Sequence, residues 1–397
     1  MAEAQPVMDG RRVSAEAALI LACCRWPRSE QRNAAVRAAA ARVEWPRLLA
    51  TTQRHRVEGL VYDGLLAAEI APPEPVRSEL REHGLRVAGR GLVLARGTLA
   101  IAALFENAGI PALFVKGSSL EILAYGRLGL KSANDIDVLV ERDRLAEANA
   151  ALHADGWTRT LPPADLRDDL LERYLDLSKD LVFVHEARGL LLELHHCLAW
   201  HDTLARVNTA SPRQDVAIFP GRTVPTLSDE ELFIYLSVHG GLCQWMRIKW
   251  LADLGGFLAA HTPAEIDSMF QAACARGADA FAGQALRLCH ILLATPLSAP
   301  LLVTLEADRS VRRLCAGSLA AIERPRAMEN KLVPIVRSFF FRLRMHRGWR
   351  ARVSALGRGW LRPADLGLLR LPRRLFFLYY LARVPLLIVR RASGWLR

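Results

Sequence analysis

The stretch Ser132–Val140, "SANDIDVLV", sets two carboxylates, Asp135 and Asp137, one residue apart in an otherwise apolar run. The β-branched residues that follow Asp135 predict a strand. On a strand, residues i and i+2 point to the same face, so the two acids should stand side by side. Like charges that close repel unless a cation lies between them. Such a pair suits a hard divalent cation with oxygen ligands, above all Mg²⁺, which uses one or two carboxylates and leaves room for phosphate and water.

Upstream, "FVKGSSLE" (Phe114–Glu121) reads as strand, turn and helix, with Ser118 or Ser119 as the helix cap. A glycine at that turn, Gly117, lets backbone approach a phosphate, and helix N-terminal N–H groups favour anions. The hydroxyls of Ser118 and Ser119 can donate to phosphate oxygens, and Lys116 is either a phosphate-binding lysine or the solvated end of a strand. Downstream, "LVFVHEA" (Leu181–Ala187) and "LLLELHHCL" (Leu190–Leu198), joined by Arg188 and Gly189, predict a hairpin. Its second arm carries Glu193, a lone acid in an apolar strand that would be costly to bury without a role. Paired beside "DIDVLV", Glu193 becomes a third carboxylate of a metal-binding and catalytic edge. His195 and His196 alternate faces, and an inward His195 reads as a neighbour that supports the site.

Around this centre the pattern divides the chain into three segments. Residues 1–109 are helical, 110–226 mix strands and helices, and 227–397 return to helix, opened by "LSDEELFIYLSVHGG" with Ser228 as cap and Glu231 three residues on. The expected class is α+β: a small mixed sheet clasped between N- and C-terminal helical segments. His239, Arg247, Lys249 and Asp253 recur at helical spacing beside Trp245 and Trp250. That helix should pack onto the α/β segment, with Arg247 or Lys249 in reach of a phosphate.

Composition bounds the rest. With 397 residues and 51% hydrophobic content the chain is neither disordered nor fibrous. Its net charge of +12 favours an anionic partner: nucleotide, nucleic acid or membrane. The charge is local, however, because Lys331–Arg397 holds sixteen Lys/Arg against the single acid Asp365. Between Arg374 and Arg390 this tail has an apolar run of fifteen residues broken by Arg383 and Pro385, too short to span a bilayer but suited to an anionic membrane surface. The default is that the tail packs on the helical bundle; it contains no recognised nucleic-acid module, and no transmembrane helix is expected. The seven cysteines are scattered without zinc spacing, and Met1–Gly10 lacks a signal-peptide pattern, both pointing to reduced thiols and the cytoplasm. The abundance of Arg and Ala suggests a bacterial genome of high GC content.

The order strand, Gly-Ser turn, helix, Asp-x-Asp resembles the nucleotidyltransferase superfamily related to DNA polymerase β. "WPRLLATTQRHRVEGLVYDGL" (Trp45–Leu65), "FVKGSSLEILAYG", "DIDVLV", "LELHH", "LSVHGGLCQWMRIKWLADL" (Leu236–Leu254) and "RLFFLYYLARVP" are similar to one bacterial branch, the nucleotidyltransferase family proteins. The resemblance implies a mixed-sheet core and Mg²⁺-dependent transfer of a nucleoside monophosphate from an NTP such as ATP, with pyrophosphate released. Mn²⁺ is the natural substitute metal. It also implies that Gly117 and Ser118 lie on the phosphate turn, Asp135 and Asp137 on the metal pair, and Glu193 on the third carboxylate. This chain departs from the pattern in three places. Sixteen residues separate Ser118 from Asp135, Lys131 stands where the branch more often has arginine before the Asp-x-Asp, and the third acid is Glu instead of Asp. Lys131 is retained as a phosphate-binding candidate.

Three functions compete at this level. The first is a nucleotidyltransferase acting on a hydroxyl of a sugar, metabolite, peptide, RNA or protein. The second is a glycosyltransferase that uses Asp-x-Asp to hold a metal-bound nucleotide sugar, which requires a nucleotide-binding α/β half before the motif. The third is a non-catalytic descendant that serves as a binding or assembly subunit.

Overall fold

The computed structural model describes residues 7–8, 11–198 and 207–324, with residues 345, 375–376 and 378–379 of the C-terminal stretch. A two-residue pair, β1 (Val7–Met8) and β2 (Arg11–Arg12), precedes five helices: α1 (Ala15–Cys23), α2 (Glu30–Ala40), α3 (Trp45–His55), α4 (Glu58–Ala67) and the long α5 (Val76–Asn107). There follow β3 (Leu113–Phe114), α6 (Ser118–Tyr125), β4 (Ile136–Leu139), α7 (Leu145–Ala154), β5 (Thr158–Leu161), α8 (Asp168–Leu177), β6 (Asp180–His185) and β7 (Leu190–His195). A second hairpin, β8 (Arg213–Phe219) and β9 (Arg222–Leu227), leads into α9 (Asp229–Leu242), α10 (Ile248–Leu258), α11 (Pro263–Ala275), α12 (Asp279–Leu293), α13 (Ala299–Ala307) and α14 (Arg309–Ile322). The class is α+β.

The main sheet has the order β3-β4-β7-β6-β5. Only β4 and β7 run parallel; the other neighbours are antiparallel. The β6–β7 hairpin closes through Glu186–Arg188 and Gly189, whose φ of 60° is the left-handed conformation that glycine adopts without steric cost. Register decides the site. Asp137 of β4 lies opposite Glu193 of β7, and His195 of β7 lies opposite Asp180 of β6. Because side chains alternate, these four polar residues share one sheet face. Ile136, Val138, Leu181, Phe183, Leu192 and Leu194 occupy the other, buried in a core with Leu94 and Ile101 of α5 and Leu145 and Leu152 of α7.

A second core joins α1–α4 to α9–α14 and includes Leu120 and Ala124 of α6. The helices at the two ends of the sequence therefore share one interior, with α6 as the seam between them and the sheet. The fit of α6 against α10 is close: a Cβ on Gly256 would stand 2.8 Å from the Ala124 carbonyl oxygen. Helix α5 serves both cores, Val76 and Leu80 in one and Leu94 and Ile101 in the other. By length and composition alone α5 meets the criterion for a membrane span, and a third of its most apolar window is buried.

Several expectations change in detail. The strand expected to lead into Gly117 is only two residues long, Leu113–Phe114, and Gly117, not Ser118 or Ser119, is the cap of α6. Ser228 does precede α9 as its cap residue, but its side chain makes no cap hydrogen bond. The hairpin β8–β9 was not singled out from the sequence, although Val216 and Ile218 alternate ahead of a Pro220-Gly221 turn. None of the seven cysteines is in a disulfide, as expected of reduced thiols; Cys197, Cys243 and Cys274 are half-buried and the other four buried. In the C-terminal stretch, Tyr379 is buried in the sheet's core with Phe376 packed against it, while Leu375 is exposed. The expected packing of the rest of the tail, and its suitability for a membrane surface, lie outside the described residues.

Candidate active site

The turn before α6 and the polar face of the sheet open into one cavity of about 250 Å³. Lys116 and Gly117 line it on one side, Asp135, Asp137, Lys179 and Glu193 on the sheet side, and Leu236, His239, Lys249, Trp250 and Asp253 on the helical side. Gly117 has φ 62° and ψ −129°, a backbone that favours glycine and lets the chain reverse into the helix beside the cavity that Gly117 lines.

Of the expected acids, Asp137 and Glu193 come together with His195. Each can offer one ligand atom, and these atoms all lie within 4.8 Å of one another. His195 Nε2 is 3.0 Å from Asp137 Oδ1 and 3.5 Å from Glu193 Oε2. Asp135 sits in the turn just ahead of β4; it lines the same cavity and adds its charge to the field at Glu193, outside that tight trio.

The cations here are lysines, and one of them was not singled out from the sequence. Lys116 Nζ lies 3.6 Å from Asp137 Oδ1 and 5.1 Å from the ring centre of Tyr235. Lys179 Nζ lies 2.6 Å from Asp180 Oδ2 and 3.3 Å from Glu193 Oε2. Burial works against a charged Lys116, but Asp137, Tyr235 and Glu193 together outweigh it and hold the ammonium above the ordinary lysine value; Lys179, also opposed by burial, is held up by Asp180 and Glu193. Burial likewise opposes ionised Asp137, yet Lys116 and His195 hold its carboxyl well below the usual range. Glu193 goes the other way: burial, with the charges of Asp137, Asp180 and Asp135, pushes it up to about 7 against the pull of Lys179. Burial and Lys179 lower His195, so its imidazole is neutral. His239 is neutral too, lowered by burial and by Lys116 and Lys179.

The remaining candidates have other engagements. Ser119 Oγ donates to the carbonyls of Phe114 and Lys116, at 2.7 and 2.9 Å, and so fastens the turn. Ser118 is buried at the first helical position. Lys131 is only 7% exposed and its ammonium contacts Asp253 Oδ2 at 2.7 Å, so it is a buried ion pair on the cavity wall. Arg247 donates to the Arg54 carbonyl and does not line the cavity. Lys249 does line it, with Nζ 3.5 Å from the Ser132 carbonyl, and burial with the neighbouring Lys131 charge pushes its pKa down to about 8. His196 is turned away from the trio, its Nε2 2.8 Å from the Ser178 carbonyl.

Lys179 and Asp180 were missed because "LSKD" reads as the polar end of a helix-to-strand connection. Counting back in steps of two from Val184 and Val182 would have put Asp180 on the face of β6 that carries charge. The donor set fits a divalent cation: two carboxylates and a neutral imidazole converge at ligand spacing, beside a turn suited to phosphate.

A family model described as "uncharacterised nucleotidyltransferase" matches residues 41–294 of the chain. No curated protein matches it.

Proposed function

The chain belongs to that nucleotidyltransferase family, and on that premise we propose that it moves a nucleoside monophosphate from an NTP to a hydroxyl acceptor, releasing pyrophosphate. The observation that carries this reading is the register pair Asp137–Glu193 on parallel β4 and β7, opening into the cavity that the Gly117 turn shares. Residues 110–226 would form the catalytic core, and the cytoplasm is the natural compartment for an NTP-consuming protein whose cysteines are not in disulfides.

Asp137 and Glu193, with Asp135 beside them, would hold Mg²⁺, or Mn²⁺ in its place. A bound cation of this kind screens phosphate charge and polarises the reacting phosphoryl group. The protein's own residues do the rest. The backbone at Gly117 and the first turn of α6 bind phosphate oxygens. Lys116 and Lys179 add positive charge on the same side, and Lys249 reaches in from α10. Glu193, the third carboxylate, would assist the attacking hydroxyl. The acceptor oxygen bonds to the α-phosphorus, its proton passes to Glu193, and the bond to the departing pyrophosphate breaks. Lys131 and Ser119 support this by fixing the wall and the turn.

The test is incubation of the protein with Mg²⁺, each α-labelled NTP and host lysate. One labelled product, lost in Asp137→Asn, is expected; no label with any NTP would overturn the reading. A second reading is favoured by the lysines already paired with Asp137 and Glu193: a binding or assembly subunit that holds nucleotide without turnover. It predicts NTP binding by calorimetry with no transfer. The glycosyltransferase reading loses support, since α1–α5, not a nucleotide-binding α/β half, precede the Asp-x-Asp.

A further inference from the structure

Cis ligands at about 2.1 Å from an octahedral ion are about 3.0 Å apart, and ligands of a tetrahedral ion at similar distance are about 3.4 Å apart. The separations of His195 Nε2 from Asp137 Oδ1 (3.0 Å) and from Glu193 Oε2 (3.5 Å) match these spacings. The imidazole is fully buried and its Nε2 points at both carboxylates from one side. Its other nitrogen, Nδ1, faces the Lys179–Asp180 ion pair, 3.4 Å from Lys179 Nζ and 3.7 Å from Asp180 Oδ2, so the Nε2 side is the one turned to the carboxylates Asp137 and Glu193. Charge agrees with geometry. The sheet wall gathers four carboxylates, Asp135, Asp137, Asp180 and Glu193, around two ammoniums, Lys116 and Lys179, a deficit that one dication fills.

We infer that His195 is a direct ligand of the metal at this site, together with Asp137 and Glu193, and that the site therefore selects a first-row transition dication, from Mn²⁺ to Zn²⁺, over Mg²⁺. Mg²⁺ takes oxygen donors and sheds water reluctantly, whereas a nitrogen donor raises affinity along the first-row series. This deepens the nucleotidyltransferase reading and rests on the same cavity.

The experiment uses the full-length protein without nucleotide and Mn²⁺ as probe. Mn²⁺ binding is titrated by electron paramagnetic resonance, Mg²⁺ and Zn²⁺ are tested as competitors, and frozen samples are examined for ¹⁴N coupling to the bound Mn²⁺. Expected are ¹⁴N coupling, displacement by Zn²⁺, and Mn²⁺ binding at least about tenfold tighter than Mg²⁺. His195→Gln should abolish the coupling and erase the preference for Mn²⁺. Absence of Mn²⁺ binding, bound Mn²⁺ without ¹⁴N coupling, or equal competition by Mg²⁺ would overturn the inference. The wild-type spectrum decides by itself if His195→Gln does not fold. Transfer activity is scored separately: coupling without transfer sinks the proposed reaction and keeps the site, and Mg²⁺-supported transfer without coupling does the reverse.

Discussion

The two walls of the cavity are both lined with buried charge, yet they are built differently. On the helical wall the lining acid Asp253 has close partners, and Glu121 behind it holds the loop. Asp253 accepts from Lys131 Nζ at 2.7 Å and Tyr125 Oη at 3.1 Å, and Glu121 accepts the backbone N–H groups of Leu130 and Lys131, both at 2.7 Å. On the sheet wall Lys179 is divided between Asp180 and Glu193, and Lys116 reaches Asp137 only at 3.6 Å. The first arrangement fixes the loop from Gly126 to Asp135; the second leaves carboxylates with ligand capacity to spare. A buried charge that has all its partners is architecture. One that shares too few is where an external cation and an anionic substrate gain most.

The contrast can be broken most sharply by exchanging the effects of mutation between walls. Asp137→Asn should lower transfer activity on the order of 10⁴-fold, measured as labelled product per folded protein, and should remove stabilisation by divalent metal in a thermal melt. Retained activity would put Asp137 among the structural acids.

Lys131→Met should do the opposite. It strands Asp253 without its ammonium, and breaking a buried pair from one side costs about 3–5 kcal/mol. Denaturant melts should show that loss, while metal affinity of the folded protein stays unchanged. A variant as stable as wild type but unable to bind NTP would return Lys131 to the phosphate site.

Lys249 sharpens the comparison through pH. Its ordinary value of 10.5 is pushed down to about 8 in the fold. Between those values the unfolded chain holds the proton that the folded chain has released, so stability from this group rises with pH across that window. The full shift corresponds to about 3 kcal/mol. Lys249→Met should flatten the rise in a series of melts from pH 7.5 to 10.5; an unchanged slope would mean the ammonium is solvated.

The smallest effect is expected at the turn. Gly117→Ala places a side chain at φ 62° and ψ −129°, outside the left-handed helical well and in a region that L-residues rarely occupy, a strain of about 1–3 kcal/mol. There is space for the methyl, the nearest atom being the Asp135 carbonyl oxygen at 3.6 Å. Stability should therefore fall by that backbone cost alone, while affinity for NTP falls further. Equal losses in both would make the turn a fold element without a phosphate role.

Much of this was legible in the chain. Alternation in "DIDVLV" and "LLLELHH" gave the faces, the glycine of "VKGSS" gave the turn, and Glu193 stood out as an acid in an apolar strand. The same two-residue rule that paired Asp135 with Asp137 also applies to Glu193 and His195. What the sequence could not supply was register. Asp137 and Glu193 meet because β4 and β7 run parallel with those two residues opposite each other, across a connection that contains α7, β5, α8 and β6. Lys131 shows the same limit from the other side: its position before the Asp-x-Asp suggested phosphate, and the fold gave its charge to Asp253, far along the chain in α10. Periodicity is a local property, set by backbone geometry within a few residues, so the sequence determines which side chains share a face. Which charges become partners depends on hydrogen-bond register and helix packing between distant segments, and that is decided only when the cores close.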